Sequence, residues 1–175
     1  MSTLRVDSIE QVNGDPISAI KPTIMAEQSV SGLTSAEFLD IPSWAKEIKV
    51  MLRSVSSSGA NNFLVQLGTS SGFITASQYN SISFSANGAS NATQTIGFII
   101  LQPSGGTPTR GVMTISKFSE TINTYVETGM FMRDTVSGSY CAGDLNGFTG
   151  VIDRVRVNTT GASTFASGRI CVMYS

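Results

Sequence analysis

The stretch AKEIKVMLRSV, residues 45–55, decides the architecture. Ile48, Val50 and Leu52 recur at every second position, with Lys49, Met51 and Arg53 between them. Successive side chains of a strand point to opposite faces, so this spacing gives one apolar face and one mixed face, the pattern of a half-buried β-strand. NNFLVQLGT, residues 61–69, repeats it with Phe63, Val65 and Leu67 inward. TIGFIIL, residues 95–101, is apolar on both sides, with Ile96, Phe98 and Ile100 on one and Ile99 and Leu101 on the other. A strand of that kind needs cover on both faces, and the expected cover is the core on one side and a neighbouring subunit on the other. Ile99 and Leu101 are therefore the expected oligomer contact.

Further strands read from GVMTISKF (111–118), NTYVETGMFM (123–132), GVIDRVRV (150–157) and GRICVMYS (168–175), parted by Gly-, Ser- and Asn-rich breaks. Nine or ten short strands with regular turn punctuation predict an all-β chain, an antiparallel β-sandwich or jelly-roll-like domain. TSAEFL, residues 34–39, is the one brief helical candidate. Pro16 and Pro22 bracket a connector, which divides the chain into an extended N-terminal arm, 1–22, and a single sandwich domain, 23–175. In the arm, Leu4, Val6, Ile9 and Val12 recur among polar residues, too few for a core but suited to a groove or sheet edge that adds a strand. The alternative is an arm that wraps its own domain or swaps between protomers.

A chain of 175 residues fits one domain. Only 13% of it is charged, against about 25% in an average protein, so its polar surface is built from hydroxyls and amides. The net charge of −1 argues against a nucleic-acid partner, which calls for clustered Lys and Arg. No apolar run reaches the roughly 20 residues of a membrane span, and no basic leader precedes one, so neither membrane insertion nor a secretory signal is expected. Cys141 and Cys171 read as thiols in small apolar positions rather than as a disulfide.

The chain contains no histidine, which removes Ser-His-Asp and Cys-His nucleophiles, HExxH zinc sites and the commonest general base at neutral pH. Asp134, Asp144 and Asp153 are the carboxylates from which a glycosidase pair would be drawn, but Arg133 and Arg154 stand beside two of them, and a cross-strand ion pair is the plainer role for Asp153. DLNG, 144–147, starts like a calcium loop without its later ligands, and an Asx turn accounts for it. No catalytic residue, cofactor or metal site is expected. Tyr79, Asn80, Tyr125 and Tyr140 fall near strand ends or loops, where rings and amides suit a neutral glycan, although a packed ring with a wet hydroxyl is the commoner role. Trp44 reads as packing against the core edge.

LDIPSWAKEIKVMLRSVSSSGANNFLVQLGTSSGF, residues 39–73, resembles a segment of bacteriophage tail and tail-fibre proteins. VIDRVRVNTTGASTFASGRICVMYS, 151–175, resembles their closing strands, and MSTLRVDSIEQVNG resembles the first residues of fibre and other virion proteins. Residues 77–145 carry no such motif. The resemblance implies a non-enzymatic virion structural protein, a homotrimer assembled in the bacterial cytoplasm. Its N-terminal arm would dock on other virion proteins of the tail, baseplate or fibre hub, and its loops would be free for a host-surface carbohydrate. The alternative it implies is a capsid decoration or head-fibre protein.

Overall fold

The computed structural model describes residues 22–102, 105–119, 122–133 and 137–175. The arm residues Leu4, Val6, Ile9 and Val12, together with Asp134, lie outside them. The period-two patterns become fourteen strands among the described residues. In chain order they are β1 (Thr23–Ile24), β2 (Gln28–Ser29), β3 (Ser35–Phe38), β4 (Glu47–Ser57), β5 (Phe63–Thr69), β6 (Gly72–Phe73) and β7 (Tyr79–Ser85). There follow β8 (Asn91–Gln94), β9 (Phe98–Ile100), β10 (Thr109–Lys117), β11 (Tyr125–Met132), β12 (Gly138–Leu145), β13 (Arg154–Thr159) and β14 (Phe165–Tyr174). The segment 34–39, expected as a helical turn, contributes β3 instead: Ala36 and Phe38 alternate with exposed Glu37 and pair with β13, so tertiary pairing overrides a weak local preference.

The strands form two antiparallel sheets. The larger has nine, in the order β1, β14, β4, β10, β11, β12, β7, β8, with β2 also paired to β14; the smaller has five, in the order β3, β13, β5, β6, with β9 also paired to β5. Their inner faces meet as a sandwich. Val50, Leu52, Val55, Met113, Ile115, Phe131, Ile170 and Val172 from the large sheet pack with Phe38, Val65, Leu67, Val155 and Val157 from the small one in a single buried cluster. Ile48, Val50 and Leu52 face inward as the alternation requires, and so do Phe63, Val65 and Leu67. Trp44 packs on the edge of this cluster, its ring 5.6 Å from that of Tyr174.

The strand at 98–100 departs from expectation. Ile99 and Leu101 are 1% and 3% exposed within the single chain, so the oligomer contact assigned to them is corrected. The reason is where β9 lies. One edge pairs with β5, placing Ile99 opposite Leu64, while the other turns toward β7, where Ser81 Oγ accepts the Ile99 N–H at 3.0 Å and Ser83 Oγ accepts that of Leu101 at 3.1 Å. Hydroxyls of the large sheet thus close the edge of the small one, and the chain itself covers the second apolar face.

Ser83 is fully buried and also donates to the Tyr140 carbonyl at 3.0 Å. Replacing it by alanine leaves the Leu101 N–H without an acceptor in a dry site, at a cost of about 1–3 kcal/mol. We expect Ser83→Ala to lower the denaturation midpoint accordingly and to speed hydrogen exchange at the Leu101 amide; unchanged exchange there would show that the hydroxyl does not hold the strand.

Candidate interaction face

Of the residues expected to bind a glycan, two belong to the core. Tyr79 points into the sandwich, its ring edge-on to Phe98 with centroids 5.0 Å apart, and its hydroxyl accepts the Leu67 N–H at 2.9 Å. Burial raises its phenol well above the ordinary range. Tyr125 is likewise buried, against Phe148. The period-two rule explains both, because Tyr79 and Tyr125 occupy inward positions of β7 and β11. Asn80 and Tyr140, one step out of phase, face outward. Asn80 Nδ2 donates to Asp144 Oδ1 at 3.2 Å, and Tyr140 stacks at a tilt on Phe84, with centroids 6.0 Å apart. The four residues do not make one site.

Asp144 and Asp153 do not come together either. Asp144 lies on the large sheet and also accepts from Asn146 Nδ2 at 2.5 Å, which closes the DLNG turn with Gly147 at φ +70°. Asp153 precedes β13 of the small sheet and takes two hydrogen bonds, at 2.6 and 3.1 Å, from its chain neighbour Arg154. That ion pair is local, where a cross-strand pair was expected. Cys141 and Cys171 are both free thiols, on β12 and β14 with three strands between them.

What the ladder registers bring together is a band on the outer face of the large sheet. Val112 pairs with Met130, Met130 with Tyr140, and Tyr140 with Phe84, so four apolar side chains stand in one row across β10, β11, β12 and β7. Their exposures are 38, 63, 40 and 42%. The next row adds Ala142 and Ile82 between Thr128 and Thr93, and Met132 and Val126 extend the band along β11. Arg110 and Asp144 carry charge only at opposite ends of this area. Each of these residues was visible in the sequence as the polar-phase partner of an inward one; the signal was that this phase is apolar at Val126, Met130, Met132, Ile82 and Phe84, where water-facing positions should be polar.

Beneath the band lies Glu127, which sequence reasoning missed. It occupies an inward position of β11, opposite Ile115 and Gly143, and is 1% exposed. A Cβ at Gly143 would come within 3.1 Å of its Oε2, and one at Gly129 would lie 2.5 Å from the Cys141 sulfur, so two glycines make room for the carboxyl and the thiol. Among the described residues neither carboxyl oxygen has a conventional hydrogen-bond partner. Desolvation pushes Glu127 up from 4.5 to about 7, and the Cys141 thiol offsets only part of that rise. The carboxyl is thus largely protonated at mildly acidic pH. In the unfolded chain it ionises freely near 4.5, so its contribution to stability is complete below that pH and is lost as pH rises through about 7, a change of about 3 kcal/mol. Glu127→Gln removes this titration. Denaturation at pH 4.5 and pH 8 should show the variant gaining on the native protein at the higher pH by that order, and parallel pH profiles would show that the carboxyl is not desolvated.

Comparison of the chain with known protein families, with characterised proteins and with solved structures finds no match.

Proposed function

We propose that this chain is a non-enzymatic structural subunit of a tailed-phage particle, a tail-fibre or tail-appendage protein that assembles with copies of itself as a trimer and is anchored by residues 1–22. The observation that carries the reading is the exposed row of Val112, Met130, Tyr140 and Phe84. Four strands about 4.8 Å apart, taken over the length of β11 from Val126 to Met132, outline an area of roughly 400 Å². Polar positions are included in that outline, and the whole is about half of what one partner buries in a stable interface. Thr114, Thr128, Thr93 and Ser116 border it with hydroxyls and Arg110 and Asp144 stand at its two ends, so it has the apolar centre and polar rim of a subunit contact. The resemblance of the opening, of 39–73 and of 151–175 to phage tail proteins supplies the context, and copies of one chain supply a partner with the same apolar face.

An aspartate in the middle of the band would be buried unpaired at the contact. Phe84→Asp and Met130→Asp are each expected to shift the mass in light scattering from trimer to monomer while the far-ultraviolet circular dichroism stays that of the β fold. A native protein that is already monomeric at micromolar concentration sinks the assembly reading. Deleting residues 1–22 is expected to abolish incorporation into particles without changing the mass of the isolated oligomer; incorporation at the native level would remove the arm from the anchoring role.

A further inference from the structure

The band ends, on the β4 side, at a cluster of arginines. Between Leu52 and Val55, β4 presents two residues, Arg53 and Ser54, where β10 presents only Arg110, and the ladder shifts register there. Ser54 sits at φ +53°, a left-handed conformation that costs a serine energy, and Gly168 of β14 faces it at φ +108°, where a Cβ would lie 2.5 Å from the Ser54 carbonyl oxygen. The ladder registers set three side chains beside the bulge on the outer face. Arg169 is directly opposite Arg53 across the β14–β4 ladder, and Arg110 flanks them on β10, its Nε donating to Ser54 Oγ at 3.3 Å. Like charges directly opposite each other on a sheet repel. Among the described residues one carboxylate relieves them: Glu27 accepts from Arg169 Nη1 at 2.5 Å. The Arg53 guanidinium has no hydrogen-bond or ion-pair partner among the described residues. Its guanidinium opens on a shallow hollow of about 470 Å³ lined by Ser29, Ser54, Gly168 and Arg169.

In a chain of net charge −1 with 11 basic residues, three guanidiniums on adjacent strands beside a strained bulge are an arrangement that an oxyanion would settle, since each presents a planar fork of donors for carboxylate, sulfate or phosphate. We infer that the row of Arg110, Arg53 and Arg169 binds an acidic polysaccharide. The row spans two strand spacings, about 10 Å, which suits charges repeated along a polymer better than one free ion. Hydroxyls of Ser29 and Ser54 border it, as sugar hydroxyls require, and no aromatic ring among the described residues lines the hollow, so these residues offer no stacking platform like that of a single-stranded nucleic-acid groove. The site stands apart from the assembly proposal, because it uses charges at the margin of the band and not its apolar centre.

The test is calorimetric titration of the full chain at low ionic strength with polygalacturonate, neutral dextran, inorganic phosphate and an oligothymidylate of matched charge. Polygalacturonate should bind, dextran should not, and inorganic phosphate should bind far more weakly. Arg53→Gln should weaken the polymer about tenfold or more, as loss of a charge-assisted contact implies. Glu27→Gln, which frees Arg169, should strengthen it by up to about fivefold, the worth of an exposed ion pair. Arg53→Gln should also leave the unliganded melting temperature equal or higher, because a repulsion is removed and no partner is lost. Unchanged affinity in Arg53→Gln overturns the site, as does equal binding of dextran. Tighter binding of the oligothymidylate would reassign the row to nucleic acid, and a change of oligomer mass in Arg53→Gln with no change in polymer affinity would reassign it to a subunit contact.

Discussion

The ladder that β4 makes with β14 on one side and β10 on the other is the constraint on which the rest of the molecule depends. It ties the last strand of the chain to the middle of the large sheet through Ile170 opposite Leu52 and Val172 opposite Val50, and it sets Met113 and Ile115 opposite Val50 and Ile48. Because side chains alternate faces, this one register sends Ile48, Val50 and Leu52 into the core, with Val55 brought inward beyond the bulge, and a slip by one residue would bury Lys49 and Arg53 instead. The same register passes from β10 to β11, β12 and β7, so the outer row of Val112, Met130, Tyr140 and Phe84 follows from the inner packing. The core and the interaction face are two sides of one alternation.

Where the alternation is interrupted, chemistry enters. The extra residue at Arg53 and Ser54 costs backbone strain, and it stands where the two ladders of β4 set three positive charges side by side. Inside, Glu127 occupies a position that the pattern reserves for an apolar side chain, and it is tolerated because a protonated carboxyl is far cheaper to bury than an ionised one. On the small sheet, Gln66 meets the same difficulty by a different route. Its Oε1 accepts from Arg156 Nη2 at 2.7 Å and its Nε2 donates to the Ile96 carbonyl at 2.7 Å, so its burial leaves it satisfied.

Much of this was legible beforehand. The inward residues of β4 and β5, the antiparallel all-β class and the packing of Trp44 follow from a spacing of two and from turn residues, which are local properties. The candidate site was legible only in part. Tyr79 and Tyr125 look like loop-proximal rings in the sequence, but which phase of a strand faces the core depends on its partners, and both fall in the inward phase. Ile99 and Leu101 misled for a related reason: two-sided apolarity says that both faces are covered without saying by what, and the β7 hydroxyls place that cover within the chain.

By itself, then, the sequence determined the class of element, its period and the absence of histidine chemistry, because these depend on neighbours a few residues away. Only the tertiary structure decided the strand order, the edge closure of β9, the row across β10, β11, β12 and β7, and the meeting of Arg53, Arg110 and Arg169. Those residues are up to 116 positions apart along the chain, from Arg53 to Arg169, and they are brought together by ladder registers that no local pattern encodes.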